Sequence, residues 1–150
     1  MAAAGRGRAM SVEEAMSVAE SYQAQLEGLE TERQTLLAIE AECETTRRAL
    51  DALAAGKPED VLVPLGAGTF VHARLSRTDR IVTPVGAGVH VAMAPDAARE
   101  TLQTRAGEAR RAREGLEGAM SRIQSQLEQL VGQIRAAQGA AGASPPGPGG

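Results

Sequence analysis

Two glycine-rich triplets, Gly66-Ala67-Gly68 and Gly86-Ala87-Gly88, are the first places to look for chemistry in this 150-residue chain, because exposed backbone amides in such loops can cradle phosphate. Neither has the GxGxxG or GKS/T spacing, and no helix start follows either one, so both read as turns. His72 and His90 have the side chain to ligate a metal or move a proton, but no cysteine and no carboxylate at ligand-like spacing accompanies them. Cys43 falls on an apolar stripe, where a thiol behaves as a small hydrophobe. Arg47-Arg48 and the cluster Arg110, Arg111 and Arg113 are interleaved with Glu42, Glu44, Glu108 and Glu114, the pattern of a solvated, ion-paired face rather than a nucleic-acid groove. No catalytic, cofactor-binding or metal-ligating set is expected, and an enzyme or nucleotide binder is disfavoured.

Composition narrows the elements that could position any site. Hydrophobic residues make up 43% of the chain, yet the aromatic total is 1%, Tyr22 and Phe70 alone, while alanine fills 29 positions. Rings dominate thick cores, so a multilayer core is not expected. Sixteen basic against 19 acidic residues give a net charge of −3, too balanced for a polyanion binder. One cysteine excludes an intramolecular disulfide and fits a reducing setting. No stretch approaches the ~18–20 apolar residues that cross a bilayer, and the first ten residues lack a signal-like apolar run. A soluble, cytoplasmic protein is expected.

Three patterned segments lie between low-complexity ends, residues 1–10 and 139–150, which are expected to be mobile. The first, 11–55, opens with Ser11 and Glu14 at the spacing of a capping box. Steps of three and four from Val12 then pass through Ala15, Ala19, Tyr22, Leu26, Leu29, Arg33, Leu36, Glu40, Cys43, Arg47 and Leu50, a coiled-coil seam with charges at three places. Gly56 and Pro58 are expected to end that helix, Gly56 as a left-handed cap. The last segment, 96–138, enters at Pro95-Asp96 and repeats the steps at Leu102, Ala106, Ala109, Arg113, Leu116, Met120, Ile123, Leu127, Leu130, Ile134 and Ala137. A narrow seam cannot be buried alone, so the two helices are expected to form an antiparallel hairpin. Gly28, Gly107, Gly115, Gly118 and Gly132 interrupt them and each costs about 1 kcal/mol relative to Ala, so the coil is expected to be soft.

The middle segment, 60–94, has strand character and repeats with a shift of 20: Pro64-Leu65-Gly66-Ala67-Gly68 recurs as Pro84-Val85-Gly86-Ala87-Gly88. Each copy reads as a β-hairpin, with Gly66, Gly68, Gly86 and Gly88 supplying positive φ at the turns. The prolines are expected at strand ends or edges, and Ser76–Asp79 as a turn between the hairpins. Four short strands bury too little to stand alone, so association through their edges is expected. Antiparallel helices also place Met10, Val12, Met16, Leu127, Leu130, Val131 and Ile134 at one free end. These either close the seam or, as the end frays, offer a deformable apolar surface for weak binding of many partners.

The plan of long helix, two hairpins and long helix, with VLVPLGAGTFVHARL followed by IVTPVGAGVHVAM, resembles the alpha-class subunits of archaeal prefoldin over about Ser11 to Gln138. The resemblance implies a mainly α fold with a small β part, a coiled-coil hairpin whose strand pairs join those of other subunits in a β-barrel. It implies a hexamer with beta-class subunits, two alpha and four beta, and an ATP-independent holdase without cofactors, membrane or nucleic acid. Unfolded polypeptides would be captured at the coil tips and delivered to a group II chaperonin. Assembly then falls on Val61, Val63, Leu65, Phe70, Val71, Leu75, Ile81, Val85, Val89, Val91 and Met93, and client binding on the seven free-end residues. The chain departs from that pattern in having a single lysine, Lys57. A scaffold subunit that recruits folded partners without holdase activity is the alternative.

Overall fold

A computed structural model of the chain describes residues 9–56 and 60–143. The ends expected to be mobile lie largely outside those residues, as does Pro58. Two long helices enclose two small antiparallel strand pairs in the order α1 (Val12–Ala55), β1 (Val61–Gly66), β2 (Thr69–Ala73), β3 (Ile81–Gly86), β4 (Val89–Met93) and α2 (Pro95–Gly142).

The capping box forms as the spacing predicts. The Ser11 amide donates to Glu14 Oε2 at 2.9 Å and the Glu14 amide to Ser11 Oγ at 3.2 Å, satisfying two donors that the helix start would otherwise orphan. At its other end α1 stops without a left-handed residue: Gly56 has no positive φ, and its amide still donates to the Ala52 carbonyl at 3.3 Å. The second helix begins at Pro95, whose missing N–H is no loss at the first helical position, and the Ala94 carbonyl accepts the first bond, from the Ala98 amide. It continues past Gly139 to Gly142, through Ala136, Ala137, Ala140 and Ala141, because alanine propagates a helix better than the two glycines interrupt it.

All twelve stripe positions from Val12 to Leu50 are buried or half-buried, and so are ten of the eleven from Leu102 to Ala137, the last being exposed. The described residues fall into two compact units, one made of residues up to Gln34 with those from Glu114 onward, the other of Thr35–Arg113. In the first, Ala15 and Leu130 are buried and Arg33 lies 3.9 Å from Glu117. In the second, Asp51 pairs with Arg99 at 2.7 Å, and Glu40 with Arg113 at 2.7 Å and Arg110 at 3.4 Å. Residue numbers fall along α1 as they rise along α2, so the helices run antiparallel there. The core of that unit is Cys43, Leu50, Ala98 and Leu102, with Ile39, Leu53, Ile81, Met93 and Ala106 packed against it.

Both strand pairs share one register, Val61↔Ala73 to Gly66↔Thr69 and Ile81↔Met93 to Gly86↔Val89, each with a shift after its proline. Pro64 and Pro84 stand inside strands rather than at their ends. A two-stranded ribbon leaves every strand one unpaired side, where a missing N–H forfeits nothing. The turns are Ala67-Gly68 and Ala87-Gly88, and both central residues have positive φ: 49° and 74° in the first, 47° and 75° in the second. This is the type I′ geometry that matches strand twist, and it holds two alanines in the left-handed region.

Candidate functional site

Alternation along the strands sorts the assembly candidates. Ile81 and Met93, opposite each other at the base of the second ribbon, are packed against Cys43, Leu50, Ala98 and Leu102, so here they seat the hairpin on its own helices. Thr83 is buried on the same face and Val61 half-buried at the matching place of the first ribbon. Val63, Leu65, Phe70, Val71, Val85, Val89 and Val91 remain exposed. Leu75 is exposed too, but lies beyond the end of β2. Within the same strands Leu62 and Val82 are also open, 59% and 67% exposed, twenty positions apart at equivalent places of the repeat. They belong to the opposite pleat from Val61 and Ile81, and the shift of 20 combined with period-two alternation was the signal that pairs them. The glycines at 66, 68, 86 and 88 all adopt positive φ.

The free-end residues share the first unit but differ in exposure. Met10 and Met16 are about half exposed, Val12, Leu127, Val131 and Ile134 are half-buried, and Leu130 is buried at 7%. Leu130 therefore closes the seam, and Met10 and Met16 are the side chains open to a partner. Deeper in the same unit, Leu26 on α1 and Met120 and Leu127 on α2 line an open groove of about 690 Å³.

Charged side chains at seam positions are ion-paired rather than solvated. Glu40 and Arg113 have side chains only 14% and 19% exposed, and the Arg113 guanidinium holds the Glu40 carboxyl below the usual range. Arg113 thus belongs to the helix interface instead of the solvated face suggested by its neighbours. Arg47 and Arg48 both pair with Glu44 and lower its pKa, Arg47 most. Bonds from Arg33 and Gln34 hold Glu30 at about 2. Burial pushes the Cys43 thiol up, which disfavours the thiolate that nucleophilic chemistry needs.

His72 does acquire a carboxylate through the fold: its Nδ1 lies 2.8 Å from Asp60 Oδ2, twelve residues away and paired across the ribbon's base, with both side chains exposed. His90 Nδ1 lies 3.3 Å from the Gly88 carbonyl. Among the described residues no group of three or more His, Cys, Asp or Glu side chains is arranged to hold a metal ion, and no helix is long and apolar enough to cross a membrane. A second open concavity, about 800 Å³, lies between the Gly86–Gly88 turn and α2, lined there by Glu100, Thr101, Thr104, Arg105 and Glu108. What these surfaces can do is bind: apolar strand faces without a third strand, and helix ends with open methionines.

Comparison with known proteins agrees with that arrangement. The family described as "Prefoldin subunit" matches residues 22–140. A prefoldin subunit alpha from Methanococcoides burtonii is 30% identical over 128 residues, 83% of this chain and 93% of that protein. One from Methanothrix thermoacetophila is 36% identical over 90 residues, 57% of each chain. Among solved structures, a chain of filamentous PFD from Methanocaldococcus jannaschii, determined by cryo-EM, superposes with a TM-score of 0.68 at 26% identity, covering 77% of this chain and 97% of that one.

Proposed function

This chain belongs to the prefoldin family, on its alpha-subunit side, and on that footing we propose that it works as one subunit of an ATP-independent holdase in the cytoplasm. Two ribbons of two strands, each with aliphatic side chains open to solvent, support the reading most directly. A two-stranded ribbon is marginal alone, and apolar faces of this kind are the usual mark of an interface. The partners we assign are beta-class prefoldin subunits, two alpha with four beta, whose strands would cover Val63, Leu65, Phe70, Val71, Val85, Val89 and Val91 in a shared barrel.

Client capture then falls on the free helix ends, where Met10 and Met16 are exposed and Leu130 with Val12, Leu127, Val131 and Ile134 becomes available as the end opens. Aliphatic and thioether side chains make adaptable, shallow contacts, and several such ends acting together bind by avidity. The bound polypeptide would be passed to a group II chaperonin. No bond is made or broken in this cycle and no cofactor is required.

The test mixes the full chain with a beta-class partner and a chemically unfolded client, following native mass and client light scattering. A discrete rise in mass and suppressed aggregation are expected; neither appearing refutes the reading. Assembly without suppression, and without preference for unfolded over native client, would instead make the chain a scaffold subunit.

A further inference from the structure

The overall charge of −3 conceals a division between the two units. Among the described residues, the unit containing the start of α1 and the end of α2 holds nine carboxylates against three arginines, whereas Thr35–Arg113 holds nine against ten. Within the acidic unit lies the open groove of about 690 Å³. Leu26, Met120 and Leu127 line it as half-buried side chains, while Glu27 and Glu128 stand exposed beside them. Glu30, also at the groove, is engaged by Arg33 and Gln34 at 2.7–2.8 Å. No ion pair among the described residues engages Glu27 or Glu128.

We propose that this groove selects unfolded segments in which aliphatic residues are flanked by lysine or arginine. The aliphatic side chains would enter between Leu26, Met120 and Leu127, and the flanking cations would pair with Glu27 and Glu128. The inference rests on the holdase reading and adds a selectivity to it. The groove supplies apolar contact with a deformable wall, since Met120 repacks at little cost. An exposed ion pair contributes roughly 1.5- to 5-fold in affinity, so two carboxylates amount to a preference of about 2- to 25-fold. The surrounding excess of negative charge acts mainly on the association rate and suppresses acidic competitors.

The experiment uses the full chain assembled with its beta-class partner and three labelled synthetic peptides. One has a leucine-rich centre with lysine flanks, one the same centre with glutamate flanks, and one lysine flanks with serine in place of leucine. Binding is read by fluorescence anisotropy, at roughly 0.05 and 0.5 M salt to vary screening. The lysine-flanked leucine peptide is expected to bind at least about threefold tighter than the glutamate-flanked one. The difference is expected to shrink in the Glu27→Gln/Glu128→Gln double variant, where only the surrounding charge still acts, and to vanish at high salt. Glu42→Gln, an exposed change in the other unit, is expected to leave it intact. Equal affinity for the two leucine peptides overturns the proposal, as does a preference that the double variant leaves undiminished. Undiminished binding of the serine peptide also overturns it, because charge alone would then be the recognised feature. A complex that suppresses client aggregation yet shows no preference loses only the groove. One that binds no peptide and suppresses nothing loses the holdase reading beneath it.

Discussion

Replacing glycine by alanine at positions 107, 115, 118 and 132 together should stabilise the chain. Beyond its own stretch of helix backbone, a Cβ built at each of these sites meets no heavy atom within 4 Å, and none has positive φ, so the substitution introduces neither clash nor strain. What remains is the intrinsic preference of the helix, about 0.8–1.0 kcal/mol per glycine replaced. Four sites give about 3–4 kcal/mol if they act independently; Gly115 and Gly118, three residues apart on one face, are the only close pair. For a domain of this size that corresponds to a rise in melting temperature on the order of 10 °C. Far-UV circular dichroism on heating and in urea measures it. The same change at Gly68 and Gly88, where φ is 74° and 75°, should act in the opposite direction and destabilise by about 1 kcal/mol each, because alanine must enter the left-handed region. A quadruple helix variant no more stable than the parent would refute the reasoning, and so would one sign for both sets. If coil softness serves client capture, the stabilised variant should also suppress client aggregation less well while its native mass in the assembly stays unchanged.

Three further outcomes follow from the packing, the turns and the ion pairs. Leu102→Ala and Leu50→Ala each remove a buried side chain from a small core and should cost about 2–3 kcal/mol, measured by urea unfolding. Ala67→Gly and Ala87→Gly relieve left-handed alanines at φ 49° and 47°, and should raise stability by about 0.5–1 kcal/mol once the greater freedom of glycine in the unfolded chain is set against the relief. Glu30, Glu40 and Glu44 all titrate lower when folded than their ordinary 4.5. Their contribution is therefore complete above about pH 4.5 and is lost as pH falls, with the share of Glu30 persisting to about pH 2. Thermal unfolding followed across that range should show the loss, and Glu30→Gln should flatten its lowest part.

Much of the helical architecture is legible in the residues because seam packing is periodic and local. Steps of three and four from Val12 reach Leu50 without meeting one exposed residue, including the charged places Arg33, Glu40 and Arg47. The twenty-residue shift likewise announces two ribbons of identical register. Reading went astray where a residue's rule depends on surroundings. Pro64 and Pro84 lie inside strands rather than at their ends, although at edges as expected, since every strand of a two-stranded ribbon has one free side. Gly56 looked like a left-handed cap, but the backbone simply leaves the helix there. Gly139 looked like the start of a tail, but alanines on both sides carry α2 three residues farther. The acidic character of one unit was also concealed in plain view, because only the fold says which distant stretches share a unit.

The order of elements, the seam, the turn positions and the capping box were written in the sequence, since each follows from spacing over a few neighbouring residues. The meeting of Glu40 with Arg113 and Arg110, the contact of Asp60 with His72, the seating of Ile81 and Met93 on the helices, and the grouping of Leu26 and Glu27 with Met120 and Glu128 belong to the tertiary structure. Those residues are separated by up to about a hundred positions, and no local preference encodes which of them meet. Antiparallel packing of two helices chooses the pairs, and with them the surfaces left open for partners.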